Sequence, residues 1–348
     1  MVETAIVILN WNGIDHLRKF LGKVIEYSEF QNTTIYIADN GSTDDSVLWI
    51  NKNHPSVKVI SLDKNYGFAG GYNLALQEIN SKYIILLNSD IEVTSGWVRP
   101  LVEYMEKNPE TAACQPKILS WHNRHLFEYA GAAGGFIDKY GYPFCRGRIF
   151  NHLEVDSGQY DSDSNIFWSS GACMIVRKDA WIKCSGFDAD FFAHMEEIDL
   201  CWRFQKAGYK IAYTCKSVVF HVGGGALSYG SPFKTYLNFR NNLFLLYKNL
   251  PRKSFHRILL IRKLLDGISA IMFLLTGKPE MVSAIWNAHT DYYKAIPSLK
   301  LKRNEIEILS GAEVSETILN KSIVFEFYLK RIKTFDKLKM NIQKYEQK

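Results

Sequence analysis

The chain has 348 residues, of which 47% are hydrophobic, 14% aromatic and 22% charged. This composition excludes an intrinsically disordered protein and allows one large core, or one core with an appended lobe. Residues 1–230 contain 21 Lys and Arg against 26 Asp and Glu, whereas residues 231–348 contain 21 against 10. An acidic N-terminal part joined to a basic C-terminal part suggests two parts with different partners, although solvated lysine faces would give the same charge balance.

The first ninety residues alternate short apolar runs with segments of helical periodicity. The runs TAIVILN, TTIYIAD, VKVIS and KYIILLN predict strands, with helices between them and Thr43 as one N-cap. This alternation is typical of βαβ units in a mostly parallel α/β sheet. The strands end on polar residues, namely Asn10, Asp39, Asp63–Asn65 and Asn88–Asp90. Because ligands bind at the carboxyl ends of such strands, this edge is the predicted ligand site.

The rest of the chain is less regular at first and then becomes helical. GACMIVRKDAW predicts a strand followed by a helix, and EEIDLCWRFQK predicts an amphipathic helix. After Ser231 the pattern is helical and basic. The segment RILLIRKLLDGISAIMFLLTG is strongly apolar, but Arg262, Lys263 and Asp266 interrupt it. It therefore predicts an amphipathic helix on a core or in a membrane interface, and not a transmembrane span.

Two further patterns bear on the compartment. The six cysteines form no CxxC pair and most lie inside apolar runs, which predicts reduced core cysteines. The N-terminal segment MVETAIVILNWNG reads as a strand and has no basic leader region. We therefore expect a cytoplasmic protein.

Glycines recur at the start of the third predicted helix. Gly67, Gly70 and Gly71 precede the helix predicted in GYNLALQEIN, which suggests a phosphate or sugar close to the backbone. Their spacing matches neither the dinucleotide fingerprint nor the P-loop. The first β–α turn, NWNGIDHL, lacks the glycine fingerprint as well, which disfavours an NAD-dependent Rossmann enzyme.

Carboxylates supply the candidate chemistry. Asp39 can accept hydrogen bonds from a base or ribose, although an ordinary capped turn uses the same residues. Asp90 suits a hard divalent cation, with Asn88 as a neutral helper. A predicted helix opens with three carboxylates, which its dipole keeps ionised as a general base requires: Glu196, Glu197 and Asp199. His221 precedes three glycines and could reach a metal or a phosphate.

Eight strings occur in one order: IVILNWNG, DNGSTDDS, NYGFAGGYN, NSD, SSGACMIVRKDAW, SGFDADFF, EEIDLCWR and HVGGG. Together they resemble glycosyltransferase family 2, the inverting GT-A transferases, and especially its rhamnosyltransferase-like branch. The resemblance covers roughly residues 4–250. It implies a Rossmann-like nucleotide-binding mixed sheet flanked by helices over residues 1–230, with a nucleotide-sugar half (1–92) and an acceptor half (93–230). Residues 231–348 would form a basic helical extension.

The resemblance also implies roles for single residues. It assigns nucleotide binding to Asn10, Asp39, Asn40, Asn65, Gly67, Gly70, Asn73, Asn88 and Ser89. It places a divalent cation, Mn²⁺ or Mg²⁺, at Asp90 with His221 beside it. Glu197 falls where the family has the base that deprotonates the acceptor hydroxyl. Asp199 is the last acidic residue of the same motif, EEIDLCWR.

Two residues depart from the family pattern. Asn88 stands where the family has the first Asp of D-x-D, so that one anionic ligand is missing. Glu197 stands where Asp is more usual, which leaves Glu196 as an alternative base.

The implied reaction is inverting transfer of a sugar from dTDP-rhamnose or a UDP-hexose to a hydroxyl of a glycan or lipid-linked acceptor. Such a reaction would serve cell-surface polysaccharide synthesis. The alternative is a non-catalytic GT-A-like domain that binds nucleotide or glycan. We expect no nucleic-acid partner. For residues 231–348 we expect peripheral attachment to the inner face of the plasma membrane, with packing on the catalytic domain or a homodimer as the alternatives.

Overall fold

The computed structural model describes residues 3–128, 130–223, 230–309 and 316–340. The strands are β1 (Glu3–Asn10), β2 (Asn32–Asp39), β3 (Lys58–Ser61), β4 (Tyr83–Asn88), β5 (Ile91–Val93), β6 (Thr111–Ser120), β7 (Gly135–Asp138), β8 (Pro143–Cys145), β9 (Arg148–Ile149), β10 (His152–Leu153), β11 (Ser164–Asn165), β12 (Cys173–Arg177), β13 (Lys210–His221) and β14 (Ile318–Leu319). The helices are α1 (Ile14–Tyr27), α2 (Ser46–Asn53), α3 (Gly67–Ala75), α4 (Val98–Lys107), α5 (Lys178–Lys183), α6 (Glu196–Lys206), α7 (Pro232–Asn249), α8 (Arg252–Leu275), α9 (Pro279–Leu309) and α10 (Ile323–Tyr328).

Within these residues the main sheet has nine strands in the order β11-β13-β6-β12-β4-β1-β2-β3, with β5 paired to β13. Strands β4, β1, β2 and β3 are parallel, whereas β12 runs antiparallel to β4. Every residue of β4 from Tyr83 to Leu87 is buried, because helices cover both faces of this part of the sheet. The mixed sheet flanked by helices confirms the predicted α/β class.

Two helix starts differ from the prediction. The second helix begins at Ser46 with Asp45 as its N-cap, so Thr43 is not the cap. The backbone N–H of Thr43 instead donates to Asn12 Oδ1 at 2.7 Å, which ties this loop to the first β–α turn. Helix α3 begins at Gly67, so its glycines lie inside the helix and not ahead of it.

Helix α6 is buried around most of its circumference and is not amphipathic as predicted. Asp199 and Arg203 are buried together with its apolar residues. Lys248 of α7, 49 residues further along the chain, contacts Asp199 at 2.8 Å. The pattern is misleading because charges that usually mark a solvated face are neutralised here by a neighbouring helix.

The C-terminal region continues the core of the preceding residues. Leu243–Leu246 of α7 and Tyr292 of α9 belong to the same buried cluster as Trp202 of α6. Strand β14 pairs in parallel with β7 and completes a second sheet in the order β10-β9-β8-β7-β14. The helical character predicted after Ser231 is confirmed for the described residues, and the core runs through the predicted boundary at residue 230.

The structure also bears on two further predictions, that the apolar segment after Ser231 is not a transmembrane span and that the cysteines are reduced core residues. Among the residues that the structure describes, no helix combines the length and apolar character needed to cross a bilayer. The six cysteines, all of them in described positions, are unpaired, and five are buried. The prediction of reduced core cysteines is therefore confirmed for those five, while Cys215 is partly exposed.

Candidate active site

The polar ends of three strands meet at one edge of the main sheet. Asn10 lies opposite Asp39 in the β1–β2 pairing, and Leu9 lies opposite Asn88 in the β1–β4 pairing. Because these strands are parallel and in this register, their carboxyl ends are adjacent. The structure therefore brings together the residues that the strand pattern singled out.

Asp39 is oriented by its neighbours. Asn10 Nδ2 donates to Asp39 Oδ1 at 3.0 Å, and the backbone N–H of Ser42 donates to Asp39 Oδ2 at 3.0 Å. Asn10 Oδ1 is buried without a hydrogen-bond partner. A carboxylate held in this way retains lone pairs for a base N–H or a ribose hydroxyl.

Asn40 joins the end of β2 to the start of α3. Its Nδ2 donates to Asn65 Oδ1 and to the carbonyl of Gly67, and its Oδ1 accepts from the backbone N–H of Tyr66, all at 3.0 Å. Both ends of the Asn40 amide are thus engaged within the protein. Asn40 and Asn65 thereby fix the backbone next to Asp39.

The start of α3 does not offer free N–H groups to a phosphate. The N–H of Gly67 donates to Asn65 Oδ1 at 2.8 Å, and those of Phe68 and Ala69 donate to the carbonyl of Phe192 at 2.7 and 3.2 Å. The phosphate-loop interpretation of this segment is therefore contradicted. Gly67 is needed for close packing, since its φ is +73° and a Cβ there would lie 2.5 Å from the Phe192 ring.

Gly70 and Asn73 are also used within the protein. Gly70 packs against Tyr66, whose Cβ would be 3.0 Å from a Cβ at Gly70. The Asn73 amide pairs with the backbone of Phe187, donating to its carbonyl at 2.7 Å and accepting from its N–H at 3.0 Å. This pairing fixes the orientation of the Asn73 side chain and leaves one N–H and one lone pair of the amide for a further contact.

The turn Asn88–Asp90 lies next to Asn10. A Cβ at Gly13 would fall 2.5 Å from Asn10 Oδ1 and 3.5 Å from Ser89 Oγ. The missing side chain at Gly13 thus lets the first β–α turn approach both groups. The Asp39 cluster and the Asn88–Asp90 turn therefore form one continuous site.

His221 lies between two carboxylates. Strand β13 pairs with β5 so that His221 is opposite Ile91, which brings its ring to the end of β4. Its Nε2 is 3.2 Å from Asp90 Oδ1 and its Nδ1 is 3.1 Å from Glu128 Oε2, and all three side chains are buried. Burial alone would lower the pKa of His221, but Asp90 and Glu128 raise it to about 10. Burial likewise favours the neutral form of Asp90, yet the His221 charge holds the pKa of Asp90 below its usual value.

The donor set at Asp90 suits one kind of metal site. Among the described residues no three His, Cys, Asp or Glu side chains are grouped to hold a cation. Asp90 offers a carboxylate, and Asn88 beside it offers a neutral oxygen. This set fits a hard cation that takes its remaining ligands from phosphate oxygens and water, as Mg²⁺ does. His221 is brought to Asp90 as predicted, but its ring nitrogens face carboxylates.

Glu128 was not among the sequence candidates. It lies in a segment without regular periodicity, and only the pairing of distant strands brings it to His221. The last two glycines of the HVGGG string, Gly224 and Gly225, lie outside the described residues.

Glu196 and Glu197 begin α6, and each has an Oε2 atom buried without a hydrogen-bond partner. Burial raises the pKa of Glu197 to about 7. Burial and the charge of Glu197 raise the pKa of Glu196 well above its usual value. Glu196 is only 4% exposed, whereas Glu197 is half-buried. The structure therefore favours Glu197 as the group that exchanges a proton at neutral pH.

Glu197 and the Asn88–Asp90 turn flank the same short segment. A Cβ at Gly171 would be 3.9 Å from Glu197 Cβ and 3.1 Å from the Phe68 ring. The next residue, Ala172, accepts a hydrogen bond from the N–H of Asn88 at 2.9 Å. Glu197 and the Asn88–Asp90 turn thus lie next to the same two residues, Gly171 and Ala172.

Asp199 has a different role from the one predicted. It is completely buried, with Oδ2 accepting from Arg203 Nε and Lys248 Nζ at 2.8 Å and Oδ1 accepting from Asn249 Nδ2 at 2.8 Å. Burial favours its neutral form, but the two cations hold the pKa of Asp199 below its usual value. The catalytic role predicted for Asp199 is contradicted by these contacts. It anchors α6 to α7.

The segment before α6 is held in an unusual conformation. Phe192, His194 and Met195 have φ values of 63°, 68° and 72°, in the left-handed region that side chains disfavour. Asn241 of α7 has its Nδ2 within 2.7–2.9 Å of three backbone carbonyls in residues 191–194. Asn241 was missed from the sequence, although an amide inside a buried stretch of helix is a signal for such a contact.

The chain is similar to known proteins in both sequence and structure. Residues 5–162 match the family described as Glycosyl transferase family 2. The low-salt glycan biosynthesis hexosyltransferase Agl10 of Haloferax volcanii is 23% identical over 296 residues, covering 82% of this chain and 90% of that protein. The N-acetylglucosaminyl-diphospho-decaprenol L-rhamnosyltransferase of Mycobacterium tuberculosis is 24% identical over 232 residues, covering 62% of this chain and 75% of that protein.

Among solved structures, that of GalNAc-T7 with UDP, GalNAc and Mn²⁺ is similar with a TM-score of 0.56 and 15% identity. The alignment covers 71% of this chain and 48% of that one, so this chain spans about half of that protein. The likeness is one of fold, and it confirms the predicted GT-A architecture.

Proposed function

We propose that this chain, which carries a glycosyltransferase family 2 domain, transfers a sugar from a nucleotide diphosphate to an acceptor hydroxyl with inversion at the anomeric carbon. The observation that carries the proposal is the half-buried carboxylate of Glu197, whose Oε2 has no hydrogen-bond partner. Glu197 lies beside Gly171, and the next residue, Ala172, is hydrogen-bonded to the Asn88–Asp90 turn. A proton acceptor beside an anion-neutralising group is what this reaction requires.

The donor would lie along the carboxyl edge of the sheet. Asp39, oriented by Asn10, would accept a hydrogen bond from the base or the ribose. The relatives named above are a hexosyltransferase and a rhamnosyltransferase, and we propose dTDP-rhamnose or a UDP-hexose as donor. A glycan or lipid-linked sugar is the proposed acceptor, in the synthesis of a cell-surface polysaccharide, since the second relative is named for a sugar carried on diphospho-decaprenol.

Asp90 and Asn88 would hold Mn²⁺ or Mg²⁺, and the solved GalNAc-T7 structure contains Mn²⁺. When bound, such a cation neutralises charge on a diphosphate leaving group. His221 contributes by keeping Asp90 ionised and in position, because its ring contacts both Asp90 and Glu128. The positive charge of the protonated His221 ring also lies at this end of the site.

Glu197 would act as the general base. It takes the proton of the acceptor hydroxyl while that oxygen attacks the anomeric carbon. The bond from this carbon to the diphosphate oxygen breaks on the opposite face, and its electron pair leaves with the nucleotide diphosphate. A single displacement of this kind inverts the configuration.

The test combines donor binding with transfer. A thermal-shift panel of nucleotide sugars, each with Mn²⁺ or Mg²⁺, identifies the donor. Glu197→Gln should keep the donor-induced shift and lose transfer by about 10²-fold or more. The matched control, Glu196→Gln, makes the same change one residue earlier and should keep transfer within about tenfold of the unaltered enzyme.

Full transfer activity in Glu197→Gln would contradict the assignment of the base. A chain that binds a nucleotide sugar but forms no product with any offered acceptor would favour the non-catalytic alternative.

A further inference from the structure

Helix α8 carries a row of exposed apolar side chains. Leu260, Leu264, Ile268, Ile271 and Leu275 are each 57–78% exposed. At 3.6 residues per turn they fall within an arc of about 80° on one face of the helix. A contiguous apolar row of this size on a solvent-exposed surface indicates an interaction site.

Helix α10 extends this row into a wider surface. Its residues Phe325, Tyr328 and Leu329 are 48%, 63% and 70% exposed. They line a groove together with Ile261 and Leu265 of α8. We call the α8 row and these three α10 residues the apolar platform.

The two segments that carry the apolar platform expose basic and not acidic side chains, and Arg252 at the start of α8 pairs with Glu307 of α9 at 2.6 Å. Residues 252–278 and 318–333, which contain α8 and α10, include two acidic residues, Asp266 and Glu326, and both are buried. They contact Arg262 and Lys330 at 2.8 and 2.9 Å. The exposed charged side chains of these two segments are all basic: Arg252, Lys253, Arg257, Lys278, Lys321, Lys330, Arg331 and Lys333.

We propose that the apolar platform docks on an anionic lipid surface, with α8 lying in the plane of the membrane interface. An apolar helix face bordered by lysine and arginine is the pattern of an interfacial helix. Lys253 and Arg257 lie on the same face as the apolar row, about two turns and one turn before Leu260, respectively. A second copy of this chain would instead oppose one basic rim to another, which disfavours a dimer through this surface.

The platform belongs to the helical layer behind the candidate active site. Arg262 of α8 lies over the ring of Tyr142, 4.0 Å from its centroid, and α8 packs on α7. Helix α7 in turn carries Asn241, which contacts the segment before Glu197. Docking would thus bring the acceptor half to the membrane, where a lipid-linked sugar is held; this last consequence rests on the proposed function.

The test is flotation of the full chain with vesicles of phosphatidylcholine alone or with phosphatidylglycerol added, at low and high salt. The chain should float with the anionic vesicles, and high salt should weaken the binding. Replacing both Lys253 and Arg257 by Ala should lower the partition coefficient on the order of tenfold or more.

The apolar contribution is tested with Leu264→Glu combined with Ile271→Glu, which should abolish flotation. The matched control is Leu48→Glu on α2, a residue 71% exposed and remote from α8 in the chain, which should leave flotation unchanged. Retention of the donor-induced thermal shift shows that each variant is folded. It also separates failure of docking from failure of the proposed function, because donor binding needs no vesicle.

Two results would overturn the proposal. One is an unaltered chain that floats with neither vesicle. The other is a chain that is dimeric by light scattering, becomes monomeric in the Leu264→Glu and Ile271→Glu variant, and does not float, which would assign the platform to a second copy.

Discussion

At the scale of single residues, the candidate site depends on ionisable groups whose neighbours set their protonation. His221 is held as a cation because two carboxylates contact its ring, whereas Glu197 has no partner for one of its buried oxygens. The two ends of the site therefore differ in their ionisable groups. At one end an imidazolium lies between the carboxylates of Asp90 and Glu128, and at the other a carboxyl group with a pKa of about 7 lies beside Gly171.

The pH dependence of transfer follows from Glu197. Burial raises its pKa to about 7, and a base acts only when deprotonated. The rate at saturating donor should therefore fall about tenfold per pH unit below about pH 7 and level off above it. Initial rates from about pH 5 to about pH 9 at constant ionic strength measure this. Glu196→Gln should keep the inflection, and a flat profile would contradict the role of Glu197.

The sequence predicts part of this site and misses part for a physical reason. Asp39 and Asp90 follow from the rule that ligands bind where buried parallel strands end. Glu128 could not be found, since its contact with His221 depends on the packing of segments distant in the chain. Asp199 was assigned wrongly because Lys248, which neutralises it, lies 49 residues away.

At the scale of elements, α6 is placed by α7. Asn241 contacts three carbonyls of residues 191–194, in the segment 191–195 where three residues adopt left-handed conformations. Such conformations cost on the order of 1–3 kcal/mol each and need support from their surroundings. Asn241 supplies that support and thereby sets the position at which α6, and with it Glu197, begins.

Asn241→Asp removes the amide donor and turns an acceptor toward backbone carbonyls. We expect kcat to fall about tenfold or more while the Kd of the donor stays unchanged, because Glu197 is displaced and Asp39 is not. The matched control is Asn242→Asp on the same helix, whose amide donates to the carbonyl of Gly141 at 2.6 Å. Both variants should lose about 1–3 kcal/mol of unfolding free energy. An equal fall in kcat in both would show that the role of Asn241 is only structural.

Whether a segment is a strand or a helix is easier to predict from the sequence than how that segment packs against its neighbours. The four apolar runs of the first ninety residues are strands, and the intervening periodic segments are helices. The start of α3 was misplaced because Gly67, Gly70 and Gly71 suggested a loop. The structure uses their small size for close packing inside the helix, and Gly67 in addition adopts a φ of +73°.

At the scale of the whole molecule, the C-terminal region is part of the main core. The ring of Phe335 lies 4.8 Å from that of Phe136 and 6.2 Å from that of Phe144, and its N–H donates to Glu154 at 3.1 Å. The charge asymmetry predicted two parts with different partners. It could not predict that apolar residues of the basic part complete the core of the acidic part.

Phe335→Ala should lower the free energy of unfolding by about 3 kcal/mol or more, since it opens a cavity among buried aromatic rings. Phe325→Ala removes the same side chain from a site that is 48% exposed and should change stability by less than about 1 kcal/mol. Urea denaturation of both variants measures the difference. Equal stability of the two would show that residues 316–340 contribute little to folding.

The pairing of β14 with β7 has a consequence for synthesis on the ribosome. The N–H of Ile323 binds Asp138 Oδ2 across 185 residues of chain. Until residues 318 and 319 emerge, the nascent chain presents one side of β7 as an open strand edge, which invites aggregation. Contacts this distant in sequence also form late and slowly. A chain whose translation stops before residues 318 and 319 therefore retains that open edge.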